Sequence, residues 1–171
     1  PVIITKSGLT DVVYNDFHIG KNSNVIIVAG CGIHNTKHQD SRHDGIHRFY
    51  LEENSKVKYI EKHYGSGKGN GKKILNPVTE IEMSKGSSMT MDSTQIKGVD
   101  STLRVTKATL YEDTTLVINE KIKTHKDQYA KTDFIVNLEG KNASCHVTSR
   151  SVATDNSYQE FTSNIIGNTK S

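Results

Sequence analysis

A turn-then-strand unit recurs along this chain about every 30 residues, and that period restricts the possible folds more than any other feature. The copies are Asn22-Ser23-Asn24-Val25, Asn54-Ser55-Lys56-Val57, Gly86-Ser87-Ser88-Met89, Asp113-Thr114-Thr115-Leu116 and Asn142-Ala143-Ser144-Cys145. Their first positions differ by 32, 32, 27 and 29 residues. Each copy opens on a small turn-forming residue, continues with polar groups and runs into an alternating β-type segment. Such a period marks a solenoid, in which a coil buries its apolar face only by stacking on its neighbours.

The β signal is broad. Lys56 to Glu61, Thr102 to Thr106, Thr115 to Asn119 and Asp133 to Leu138 alternate at period two and are rich in β-branched and aromatic residues. No window of a dozen residues carries the i, i+3, i+4, i+7 apolar stripe of a helix. A second strand set falls between the main copies, near Leu103, Phe134 and Tyr158. At about 3.3 Å per residue, two eight-residue strands leave about a dozen residues of each coil for corners. The fold class is therefore all-β, a flattened parallel β-solenoid with two strands per coil of about 30 residues. Gly30 to Gly45, rich in His and polar groups, and the Gly/Lys stretch Gly65 to Lys73 interrupt the pattern and read as insertions projecting from it.

A narrow solenoid core suits a composition of only 33% hydrophobic residues and no Trp. Lys and Arg are scattered, and a net charge of +3 without a basic stripe interleaved with aromatics excludes a nucleic-acid partner. The longest apolar run, Val25 to Ala29, falls far short of the roughly 20 residues that span a bilayer, so no membrane partner is expected. No signal peptide is visible, and Cys31 and Cys145 read as free thiols in a reducing cytoplasm.

Several residues could carry chemistry. His34, His38, His43 and His47 are spaced by four, five and four residues, with Asp40, Asp44 and Cys31 nearby, and are candidate metal ligands. Glycines 30, 32 and 45 argue against a helix there. On a strand, His43 and His47 share a face but stand about 13 Å apart, too far for one metal, so solvated loop histidines are the favoured reading. Cys31, between Gly30 and Gly32, reads as a thiol at a tight bend or a small buried residue at a corner. Cys145 occupies the core slot of Val25, Val57, Met89 and Leu116. Asp92, Asp100, Glu112, Asp113 and Glu120 read as turn and exposed strand positions with no evident acid/base pair. Gly65 to Gly69 lacks the spacing of a phosphate-binding loop.

Taken in order, these residues resemble the core domain of the SufB/SufD family, scaffold proteins of the SUF system of iron–sulfur cluster assembly. The resemblance runs from about Val25 to Ser171. Its landmarks are Gly30-Cys31, Ile46-His47, Asn54 to Tyr59, Gly98-Val99-Asp100-Ser101, and Ser149-Arg150-Ser151-Val152 with Asn156-Ser157-Tyr158. It implies a right-handed parallel β-helix, with residues 1–171 forming one core domain truncated at both ends. It also implies a cytoplasmic, non-enzymatic scaffold that pairs with a paralogous SufB/SufD-type subunit and a SufC-like ABC ATPase. Sulfur-relay proteins would deliver to it, and a transient iron–sulfur cluster would form in the full complex, with no cofactor in this chain alone. Cys31 and His47 are the matching positions for cluster or sulfur handling. Thr94 stands where SufB-type chains place a core cysteine, which favours a SufD-like or divergent member. The family's C-terminal Cys, Glu and His positions, and its ATPase-docking helices, would lie beyond Ser171.

Two other functions fit a β-helix of this composition. One is a cell-surface carbohydrate-binding or carbohydrate-active protein. The other is a metal-binding module built on the His-rich stretch.

Overall fold

The computed structural model describes residues 2–169. One sheet stacks β1 (Val2–Ile4), β3 (Asn24–His34), β5 (Lys56–Ser66), β8 (Ser88–Lys97), β10 (Thr115–Thr124) and β12 (Ser144–Ala153) in that order. The facing sheet stacks β2 (Thr10–Ile19), β4 (Ser41–Leu51), the paired half-strands β6 (Lys73–Leu75) and β7 (Val78–Met83), then β9 (Ser101–Leu110), β11 (Tyr129–Leu138) and β13 (Tyr158–Gly167). Neighbouring strands are parallel throughout, because the chain crosses to the other sheet and back before each pairing. The register pairs Asn24 with Lys56, Lys56 with Ser88, Ser88 with Thr115 and Thr115 with Ser144. The sequence period is thus the register itself, and the chain is an all-β parallel solenoid.

The repeated turn residue has a backbone reason to be there. Asn22, Asn54, Asp113 and Asn142 adopt φ of 59°, 57°, 55° and 58°, and Gly86 adopts 70°. Left-handed backbone is costly for most side chains, but Gly adopts it freely and Asn and Asp tolerate it. The following amide closes the turn onto the residue three back, as in Ser55 to Glu52 at 3.2 Å and Ser87 to Ser84 at 3.1 Å. The turn residue's own amide donates to the next coil, Asn54 to Lys85 at 3.0 Å and Asp113 to Lys141 at 2.9 Å. Each corner is stitched to the one above it.

The opposite corner varies in width. The segments that interrupt the sequence pattern do not project. Most of Gly30 to Gly45 lies in β3 and β4, leaving only the corner 35–40, and the corner 67–72 lies flat on it. Gly69 donates to the Asn35 carbonyl at 3.1 Å and Gly71 to that of Lys37 at 3.0 Å. A Cβ on Gly69 or Gly71 would fall 2.3 or 2.1 Å from a backbone oxygen of the lower corner, so only glycine permits this contact.

The interior changes character across its width. Toward the Asn corner it is apolar, with Val57, Met89 and Leu116 facing Leu51, Met83 and Leu110. Phe17 stacks on Phe49 with centroids 4.7 Å apart, and Tyr59 meets Phe49 edge-on at 4.9 Å. Toward the wide corner the inward positions become polar, and β9 turns Thr102, Arg104 and Thr106 inside while Leu103 faces out. The neighbour of β9 in the same sheet is broken at Asn76-Pro77, where proline has no N–H to donate toward β9. The Asn76 side chain spans the gap, donating to Asp44 Oδ1 at 3.2 Å and accepting from the Leu103 amide at 2.9 Å.

The corner geometry gives a test. Gly86→Ala forces a Cβ into left-handed backbone and to within 2.3 Å of Asn54 Oδ1. It should cost about 1–2 kcal/mol or more in urea unfolding, whereas Asn54→Gly should be within a few tenths of neutral.

Candidate functional site

Period-two geometry carries Glu61 and His63 of β5 to the same inner face as Val57 and Tyr59. Ser93 and Gln95 follow them on β8, and Glu120 on β10. Arg104 enters from the facing sheet. The result is a buried polar cluster inside the solenoid, every member at most 5% exposed.

Arg104 organises it. Its Nε donates to Glu120 Oε1 at 2.9 Å, and Nη1 donates to His63 Nδ1 at 2.9 Å and Gln95 Oε1 at 3.4 Å. Nη2 donates to the Ser93 hydroxyl and lies 3.6 Å from Glu61 Oε2. Glu120 also accepts from Thr132 at 3.3 Å and Ser149 at 3.1 Å. Glu61 accepts from Tyr59 Oη at 2.8 Å and Ser93 Oγ at 3.3 Å, and its Oε1 lies 3.3 Å from His63 Nε2. Because Arg104 fills the lone pair on His63 Nδ1, the His63 proton sits on Nε2, facing Glu61. Burial would raise the Glu61 carboxyl, but His63, Arg104 and His47 outweigh it and hold it well below the usual carboxylate range. Burial and the Glu61 charge and hydrogen bond push the Tyr59 phenol far up.

The four histidines separate into two pairs. His34, at the end of β3, is exposed and meets Ser66 Oγ at 2.9 Å, and His38 is exposed in the wide corner. His43 and His47 are inside, 1% and 4% exposed, which departs from the reading of all four as solvated loop residues. They alternate with Gly45 along the inner face of β4, and His43 Nδ1 bonds Asp11 Oδ2 at 2.8 Å. His47 Nε2 stands 3.9 Å from Glu61 Oε1. Burial drives the His47 imidazolium pKa down, His63 and His43 add to that, and Glu61 offsets part of it.

Cys31 lies within β3, paired with His63 of the next coil, and is neither at a bend nor at a corner. It is buried among Ile4, Ile33, Leu75 and Val99. Burial, aided by the Glu61 charge, pushes its thiol up to about 11. Cys145 packs against the core in register with Leu116, and burial pushes it to about 11 as well. Thr94 is on the outer face of β8, and its inward neighbour is Ser93. Glu120, expected at an exposed strand position, is inside and bound to Arg104 because β10 keeps the phase of Leu116 and Ile118. Asp92, Asp100, Asp113 and Glu112 have structural partners in Asn119, Lys73, Asn142 and Lys85.

The SUF system FeS cluster assembly, SufBD core domain family matches residues 38–171, from the wide corner before β4 through the last strand. The chain belongs to the SufBD family. That family is named for the SUF system of iron–sulfur cluster assembly. It is also similar to the iron-sulfur cluster assembly SufBD family protein MJ0034 of Methanocaldococcus jannaschii, 25% identical over 166 residues. That alignment covers 96% of this chain and 51% of the relative, so the chain spans about half the length of the curated protein it matches. No solved structure matches it significantly. Among the described residues no helix is long and apolar enough to cross a membrane.

Two outcomes test this account of the SufBD interior. Arg104→Met leaves two buried carboxylates without their cation and should cost about 3–5 kcal/mol in urea unfolding, partly restored by adding Glu61→Gln and Glu120→Gln. A cost below about 1 kcal/mol would show that the network does not hold the coils. A thiol shifted up to about 11 is almost wholly protonated at neutral pH. Iodoacetamide labelling of the folded chain at pH 7.5 should therefore run roughly two orders of magnitude slower than in denaturant, rising with pH.

Proposed function

We propose that this chain is the β-helical core of a non-enzymatic scaffold, cytoplasmic in location, on which the SUF machinery builds iron–sulfur clusters. The observation that carries the reading is the SufBD core match over residues 38–171, laid on a parallel solenoid whose two sheets continue coil after coil through the described part of that span, with a break at Asn76-Pro77 and a register shift at His63/Tyr64. A stack of this kind resists bending, so it can hold distant surfaces at fixed separation. In this reading the scaffold pairs with a paralogous SufB/SufD-type subunit and an ABC-type ATPase and receives sulfur from relay proteins. The nascent cluster is the cargo. Unpaired edges of terminal coils supply natural pairing surfaces.

The thiol of Cys31 is buried and protonated, and a sulfur acceptor needs an accessible thiolate. Its place in the proposal is packing, and His47 lines the interior. Glycan hydrolysis gains no support, since Glu61 and Glu120 are sealed inside around Arg104.

The deciding experiment is affinity purification of the protein as it occurs in its own cells, with mass spectrometry of what is retained. Recovery of an ABC-type ATPase with a related β-helix chain is the expected result. A protein retained alone, or found outside the cytoplasm, would overturn the reading. His34→Ala with His38→Ala should leave cluster formation in cells unchanged.

A further inference from the structure

We propose that the wide-corner side of the solenoid carries a binding site for one polyphosphate anion, a chain of two or more linked phosphates, held by Lys68, Lys72, Lys97 and Lys126. The proposal is independent of the scaffold reading.

The site is a notch made by a change in corner width. The corner 67–72 is twice as long as the corner 98–100 that follows it, so a recess opens between it and the corner 125–128. Two adjoining hollows of about 660 and 360 Å³ occupy the step and share Lys68, Lys73, Asp100 and Lys126. Volumes of roughly 300–1,000 Å³ are those of small-molecule sites. Lys73 is almost buried, and its Nζ is held by Asp100 at 2.8 Å. Lys68, Lys72, Lys97 and Lys126 are exposed around it and have no ion-pair partner among the described residues. The nearby carboxylates are engaged elsewhere. Asp40 accepts from the Lys72 amide at 2.7 Å, Asp155 from the Lys126 amide at 2.8 Å, and Asp127 from the Asn156 side chain at 3.4 Å.

Lys126 is the residue that the fold alone does not explain. Among the described residues six non-glycines adopt left-handed backbone: five are Asn or Asp, and the sixth is Lys126 at φ 58°. The register places Gly98 and Asp155 at the same point of the corners before and after it, with φ of 71° and 60°. Glycine meets this demand freely and Asp can bond its own turn, whereas a lysine does neither. Side chains kept in such backbone against local preference gather at functional sites. Here the exchange places an ammonium group over the notch.

The shape selects a compact anion. The strands that bound the notch, β6, β9 and β11, are paired on both sides within their sheet, which leaves no strand edge for an acidic peptide to join. Gly67, Gly69 and Gly71 leave one wall free of side chains, so a small anion can approach the backbone closely. The lysines come from three successive coils and so spread over about two strand spacings, roughly 10 Å. A single phosphate does not reach across that span, but a chain of phosphates does. Lysine binds phosphate as a mobile point charge, so the site does not need the glycine spacing of a nucleotide-binding loop.

The test is calorimetric titration of the chain at low salt, without divalent ions, using phosphate, pyrophosphate, triphosphate and ATP in turn. One triphosphate per chain is expected, with affinity rising from phosphate to triphosphate and falling as salt is added. Lys68→Gln/Lys126→Gln should weaken binding at least about 10-fold. Lys121→Gln/Lys141→Gln removes the same charge elsewhere on the surface and should bind like the parent. Lys126→Asn restores the usual turn residue, so it should raise the urea midpoint while weakening triphosphate binding. Tighter binding of ATP than of triphosphate would identify a nucleotide as the source, with its base near Tyr129, and equal or weaker binding would identify free polyphosphate. The site would be overturned by absence of binding in the parent, by equal loss in the two double variants, or by parent-like binding of Lys126→Asn. Tighter binding of a hexa-aspartate peptide than of triphosphate would overturn it in favour of an acidic protein segment.

Discussion

Each coil must come back to its starting point one strand spacing higher, about 4.8 Å, and in phase with the coil beneath. The whole structure depends on that return. A slip of one residue would exchange the inner and outer faces of a strand, bringing Lys58 in and sending Tyr59 out. The corner at Asn22, Asn54, Gly86, Asp113 and Asn142 prevents this, because a left-handed residue followed by a closed turn fixes where the next strand begins. The apolar half of the interior then stacks like on like, Phe17 over Phe49 and Val57 over Met89.

The same phase delivers Glu61, Glu120 and Arg104 into the interior, where they must be satisfied by one another. Hydrophobic burial cannot account for these three. Their geometry ties β5, β8, β9 and β10 together across the gap between the sheets. Removing any member leaves its partners buried without compensation, so the cluster specifies the packing of the sheets more than it adds to stability. For a SufBD core, this sets the relative position of the two sheets that any partner would meet.

The fold was legible because backbone constraints print through to sequence: the corner needs Asn, Asp or Gly, and those residues recur at the spacing of the register. The interior was less legible because hydropathy reports side chains one at a time. In Thr102 to Thr106 the apolar residues are Leu103 and Val105, yet Arg104 faces in, drawn by carboxylates on strands distant in sequence. Glu61 and Glu120 resemble surface residues for the same reason. Following the phase of Val57 and Tyr59 to Glu61 and His63 would have found part of the cluster. His43 and His47 were masked by neighbouring glycines, which resemble strand breakers. Gly45 instead sits inside β4 and makes room for both rings. Family membership, by contrast, rests on the match along residues 38–171 as a whole and on no single buried group.

The two corners of the coil are unequal. The Asn side spans residues 20–23, 52–55, 84–87, 111–114 and 139–143, almost constant in length. The other spans 35–40, 67–72, 98–100, 125–128 and 154–157, shrinking by half within one coil while the sheets continue through it. The solenoid therefore has a ruled spine and an adjustable margin. Residues can be gained or lost along that margin, in evolution or by design, while the interior beside the spine keeps its alignment.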